Sequence, residues 1–185
     1  MKIQMNNVPQ DNIIIFDIEY DQKVLIQLAT LILSKHESNM FRVEKSINVY
    51  IDPNQSISSF FMNYTNITND YLRHNGIDLA GARTLALEVV SNVDPENTLL
   101  VGHGLDNDLD ILCRNGIDWS VFSHRYDTYK NAKQLLCRDS FLTVKDIAAN
   151  DCFYMFNEHN AYADVWGTLH AFCWLIEEGE KRNEG

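Results

Sequence analysis

Cysteine is sparse in this 185-residue chain: there are four, Cys113, Cys137, Cys152 and Cys173, with no C-x-x-C pair and no histidine at zinc-ligand spacing. That excludes a disulfide framework and a thiolate zinc site, and the four read as reduced thiols of the core. Long hydrophobic runs are missing as well. The opening MKIQMNNVPQDN has no apolar stretch of signal-peptide length, and nothing later approaches the roughly 20 residues of a membrane span. A cytoplasmic protein with no membrane partner is therefore expected. Positive charge is scarce too. Fifteen Lys and Arg against 26 Asp and Glu leave a net charge of −11, which argues against a surface that coats nucleic acid by neutralising phosphates. Repeats, low-complexity tracts and long linkers are also absent.

What is present is 45% hydrophobic and 11% aromatic residues, enough for one α/β domain with a proper core. The run IIIFDIEY predicts a strand, followed after three residues by VLIQLATLIL (24–33), its hairpin partner. A third strand is predicted at SINVYID (46–52) and a helix at 79–93. TLLVGHG (98–104) reads as a buried strand, followed by a helix over 105–115 that stops at Asn115-Gly116. SVFSHRYDTY predicts a further strand, with helices near 129–137 and 142–150 and a largely buried one over 160–178. Residues 1–12 read as an extension, 13–178 as the domain and 179–185 as a polar, frayed tail. From Arg114 to Lys145 six basic residues (Arg114, Arg125, Lys130, Lys133, Arg138, Lys145) meet Asp118, Asp127 and Asp139. They form either a solvated face or a phosphate-guiding rim.

Chemistry concentrates at three places. In the first strand alternate side chains share a face, so Asp17 and Glu19 project together, opposite Ile14, Phe16, Ile18 and Tyr20. Two acids so placed repel, and a positive partner is expected between them. In VGHGLDNDLDIL the apolar arc of Leu105, Leu109, Ile111, Leu112 and Cys113 encloses Asp108. Asp106, at the edge of that arc, reads as a helix cap, and Asp110 faces water. An acid on the buried side needs a compensating partner, which singles out Asp108. In EHNAYADVW, Asp164 lies in the final apolar helix and His159 precedes it by five positions, about 140° apart on a helix. They reach one site only if His159 sits before the regular turns; taken alone, a histidine near a helix start is more often a cap or a surface residue. Four carboxylates in one site would suit hard ions such as Mg²⁺ or Mn²⁺ rather than zinc.

With FDIEY, VGHGLDNDLDIL and HNAYAD in this order, the sequence resembles the DEDDh family of 3′-to-5′ exonucleases, such as RNase T and polymerase proofreading domains. The likeness spans about residues 13 to 176, and NITNDYL and YDTYKNAKQL also look like segments these enzymes carry. It implies an RNase H-like α/β fold: a five-stranded mixed sheet, an antiparallel meander then parallel strands, flanked by helices. It further implies metal ligation by Asp17, Glu19, Asp108 and Asp164 to two divalent ions, Mg²⁺ or Mn²⁺, and His159 as general base. The implied reaction is hydrolysis at the 3′ end of single-stranded DNA or RNA, releasing nucleoside 5′-monophosphates. A catalytically impaired binding or scaffold module is the alternative. Homodimer formation, or docking on a polymerase or RNA-processing complex, completes the implied partners.

Two departures from the family pattern stand near the ligands. Tyr20, Asp21 and Gln22 replace a Thr-Thr-Gly-like turn after Glu19, and Gly104 and Asn107 replace a His-Asn pair and an aromatic before Asp108. Tyr20, His103 and Tyr162 are the candidate substrate contacts, the tyrosines as stacking surfaces for unpaired bases. Trp166 has the same chemistry but reads as core, given its apolar helix.

Overall fold

Asn12–Asp21 is rich in β-branched and aromatic residues and pairs on both sides in a computed structural model that describes residues 2–37, 39–137, 142–151 and 159–183. The strands are Lys2–Gln4 (β1), Asn12–Asp21 (β2), Val24–Glu37 (β3), Met40–Tyr50 (β4), Thr98–Gly102 (β5) and His124–Asp127 (β6), in the order β1-β4-β3-β2-β5-β6. β2, β3 and β4 form an antiparallel meander, β5 lies parallel to β2, and β6 lies parallel to β5. The sheet thus has six strands where five were expected. The added one is β1, which pairs antiparallel with the outer edge of β4 through Lys2↔Arg42 and Ile3↔Phe41. Three residues carry too little alternation to announce a strand; the available edge of β4 decides it.

Helices cover both faces: Ser59–Thr65 (α1), Asn69–Asn75 (α2), Leu79–Ser91 (α3), Leu105–Arg114 (α4), Thr128–Leu136 (α5), Val144–Ala148 (α6) and Ala161–Asn183 (α7). Ile14, Phe16 and Ile18 pack with Leu28, Ile32 and Leu100 beneath Ala82, Ala86 and Val89 of α3 and Leu105, Ile111 and Leu112 of α4. On the other face Ile13, Ile15, Leu31 and Val101 pack against Ala161, Val165, Leu169 and Phe172 of α7. A strand buried on both sides has no polar face to show, so its sequence is nearly continuous in apolar residues. Each such side chain contributes about 1.5–3 kcal/mol by burial. Asp17 and Glu19 belong to the α7 face, and Tyr20 packs with Ile14 as the alternation requires.

Several boundaries differ from the sequence expectation. The strand predicted at 120–129 is only His124–Asp127, because Trp119 and Phe122 leave the strand path and enter the core as a turn. α7 runs on to Asn183 through residues expected to fray, where Glu180 accepts from the side chain of Asn7 at 2.8 Å. The cysteines are not all core residues as expected: Cys113 on α4 and Cys137, the left-handed residue that ends α5, are exposed, and Cys173 is half-buried against the α7-side core. Cys152, Arg138 and Asp139 lie outside the described residues. Among the described residues no helix is long and apolar enough to cross a membrane.

Candidate active site

Asp17 and Glu19 from β2 meet Asp164 from the first turn of α7, with one carboxylate oxygen of each lying within 4.8 Å of the others. Asp108, buried on α4, stands outside that spacing but acts on both β2 acids. Burial, then the charges of Asp108, Asp164 and Glu19, push Asp17 well above the usual carboxylate range. Glu19 is pushed up to about 8 by burial and by Asp164 and Asp108. Asp108 rises to about 7, mainly by burial, although a side-chain hydrogen bond from Asn107 opposes the rise. Every charge acting on Asp17 is negative. A cation among them would favour their joint ionisation, and the donors are all oxygen, as hard divalent ions prefer.

Two buried polar side chains place these acids. Gln27 of β3 lies opposite Glu19 in the β2–β3 register and is fully buried. Its Oε1 accepts from the backbone N–H of Ala161 at 3.1 Å, while its Nε2 donates to Asn48 Oδ1 at 2.8 Å and Asn160 Oδ1 at 3.5 Å. Asn160 in turn accepts from the Tyr162 and Ala163 N–H groups at the head of α7 and donates to the Tyr50 hydroxyl at 3.1 Å. The helix bearing Asp164 is thus fastened to the meander. Asp127 does the same for α4, accepting from Gly104 N at 3.0 Å and Leu105 N at 3.1 Å. It also accepts from Tyr129 N at 3.0 Å and Lys130 N at 3.3 Å, so one carboxylate caps both α4 and α5. Asp106 was expected to cap α4 and does not. It lies within the first turn, past the capping position, and accepts from Lys130 Nζ at 2.6 Å instead.

A cleft of about 310 Å³ opens over the cluster, lined by Asp17, Glu19, Asp164, His103, His159 and Tyr64. His159 precedes α7 in a left-handed backbone conformation, φ 62°, outside the regular turns, which is the condition for it to share a site with Asp164. His103 donates from Nε2 to the Leu142 carbonyl at 2.9 Å and its Nδ1 lies 3.0 Å from Thr128 Oγ1; burial lowers its pKa. The Tyr20 hydroxyl accepts from Asn107 Nδ2 at 2.9 Å, which ties the end of β2 to α4. Tyr162 and Trp166 pack against the α7-side core instead of lining the cleft.

Of the basic run only Lys145 reaches the cleft among the described residues. Arg114 pairs with Asp110 and Lys130 with Asp106, as a solvated face would. Sequence reasoning passed over Gln27, although an amide in an otherwise apolar strand was a signal, and it passed over Tyr64 altogether.

The arrangement is a six-stranded mixed α/β sheet flanked by helices, with an acidic cleft beside its central strand. No protein-family model and no curated protein sequence matches the chain. Solved structures do. The nuclease domain of 3′hExo, a DEDDh family member bound to rAMP, superposes with a TM-score of 0.73 at 15% identity, covering 93% of this chain and 94% of that one. A 3′-exonuclease in a structure of histone mRNA stem-loop recognition gives 0.69 at 14%, covering 92% and 65%. The zinc-bound complex of E. coli exonuclease I with single-stranded DNA gives 0.67 at 19%, covering 94% of this chain and 42% of that one. At such identities the likeness establishes the fold, and the chain spans about two fifths of the length of exonuclease I.

Proposed function

We propose that the chain is a metal-dependent 3′-to-5′ exonuclease that hydrolyses the terminal phosphodiester of single-stranded DNA or RNA and releases nucleoside 5′-monophosphates. The observation that carries this reading is the three-carboxylate cluster, within 4.8 Å and facing His159 across one cleft, with Asp108 buried beside it. Asp17, Glu19, Asp108 and Asp164 would hold Mg²⁺ or Mn²⁺. Such ions, when bound, activate water and stabilise the charge that builds on the attacking and leaving oxygens at phosphorus. His159 takes the proton of the attacking water as general base, a role suited to an imidazole. His103 holds the segment at Leu142 against the end of β5, so that Thr143 and Val144 form a cleft wall. Neighbours solved with single-stranded DNA and with rAMP support a single-strand substrate and a nucleotide product. The catalytic unit would span residues 13–178 and act in the cytoplasm, alone, as a homodimer, or docked on a polymerase or RNA-processing complex.

The test is a 5′-labelled single strand, DNA and RNA of one sequence, incubated with Mg²⁺, Mn²⁺ or chelator. A ladder shortening from the 3′ end in metal alone is expected, and Asp164→Asn should abolish it. Degradation that survives in Asp164→Asn at the parent rate would overturn the reading.

A further inference from the structure

We propose that Tyr50 is a positioning residue for the hydrolytic step: through Asn160 it fixes the backbone that presents His159 to the cleft. The proposal rests on the exonuclease reading, in which His159 is the general base. In the sheet register Glu19 lies opposite Gln27 and Gln27 opposite Tyr50, so one row of side chains crosses three strands from the acidic cluster to β4. Gln27 and Tyr50 converge on Asn160, the residue between His159 and the first residue of α7. Tyr50 itself does not line the cleft.

The two ends of the Asn160 amide do different things. Its Oδ1 accepts from the N–H groups of Tyr162 at 3.2 Å and Ala163 at 3.4 Å, which settles which end carries the oxygen. Its Nδ2 donates to the Tyr50 hydroxyl at 3.1 Å. Tyr50 is held in turn. Its side chain hydrogen-bonds with that of Tyr71 on α2, the rings meet edge to face at 4.8 Å and 82°, and Tyr50 packs on Ile26, Phe61 and Leu72. His159 needs such a hold, because a φ of 62° is sparsely populated for a residue with a side chain and persists only where its neighbours enforce it. α7 keeps its start without Tyr50: Gln27 binds Ala161 N, and Asn160 binds the next two N–H groups. What the Tyr50 bond adds is a stop against rotation of the Asn160 amide, and so a fixed path for the chain at His159. A general base acts only within hydrogen-bond reach of the water, so a displaced imidazole lowers the rate while the acids stay in place.

Tyr50→Phe removes the hydroxyl and keeps the ring. With the full chain, Mg²⁺ and a labelled single strand, kcat is expected to fall about five- to tenfold, the worth of one hydrogen bond, with KM and the Mg²⁺ dependence unchanged. In a His159→Ala background the same substitution should cost no further rate, since a residue that acts through His159 has nothing left to position. A second readout does not depend on cleavage. The Tyr64 ring stacks on the His159 ring at 3.8 Å and 28°, so the His159 ring protons carry a ring-current shift. In proton NMR of the full chain in chelator, the His159 signal is assigned by its loss in His159→Ala. It should move toward the position of an exposed histidine in Tyr50→Phe, while the signals of exposed His36 and His124 stay where they are and show that the variant folds. Parent-like kcat, an unmoved His159 signal, or a rate loss of full size without His159 each overturns the proposal. A parent chain that shortens no strand overturns the exonuclease reading by itself, and the NMR comparison then decides separately whether Tyr50 places His159.

Discussion

Gln27 is the residue on which the geometry of the acidic cluster most depends without being part of it. Its side chain makes three hydrogen bonds in a fully buried position, one of them to the first N–H of α7. Gln27→Leu keeps the strand's apolar character but leaves Ala161 N and Asn48 without that partner, at a cost of about 1–3 kcal/mol. The larger effect should be on the acids, because the head of α7 loses its tie to the strand opposite Glu19. We expect Mg²⁺ affinity to fall by about 10- to 100-fold, as for other residues that orient ligands without touching metal. Thermal melts with and without Mg²⁺ measure both, and a melt shift with unchanged Mg²⁺ affinity would limit Gln27 to a packing role. The sequence reading passed over Gln27 because its partners lie 21 to 134 residues away and have no trace in local periodicity.

At the scale of elements, the parallel strands end where α4 and α5 begin, and Asp127 joins the two starts. A helix N-terminus leaves N–H groups unsatisfied, and one carboxylate that serves two of them at once does the work of two caps. Asp127→Ala should cost about 1–4 kcal/mol, twice the usual range for one cap. Asp127→Asn, which retains one accepting oxygen, should cost less. Denaturant unfolding monitored by far-ultraviolet circular dichroism gives both values, and equal losses for the two variants would contradict the double-cap account. The helix itself was legible from its apolar arc, and so was the burial of Asp108 within that arc. Its cap was not: the nearest acid, Asp106, was the natural local candidate, and the true acceptor sits 22 residues downstream of Leu105.

For the whole molecule, the concentration of acid at one end of the sheet couples stability to pH and metal. Glu19 at about 8 and Asp108 at about 7 hold protons in the folded chain that the unfolded chain has released above its ordinary carboxylate values near 4. The folded state then binds more protons, so stability falls as pH rises from about 4 toward 8. His103 acts oppositely. Its lowered pKa adds stability above its ordinary value of 6.5 that is lost as pH falls below it. In chelator we expect the carboxylates, being more numerous, to lower the melting temperature between pH 6 and 8. In Mg²⁺ the fall should be offset, so the metal-induced rise should be larger at pH 8 than at pH 5.5; a rise independent of pH would argue against ionisation of this cluster on metal binding. The amino-acid sequence by itself determined the two-faced central strand, the order of the elements, and which acids had reason to meet, because side-chain alternation and helical spacing are local properties. Only the tertiary structure decided that β1 closes the sheet edge, that Gln27 and Asp127 hold the acid-bearing helices, and that Tyr50 reaches Asn160 beside His159. Those are contacts between segments far apart in the chain, and only packing brings them together.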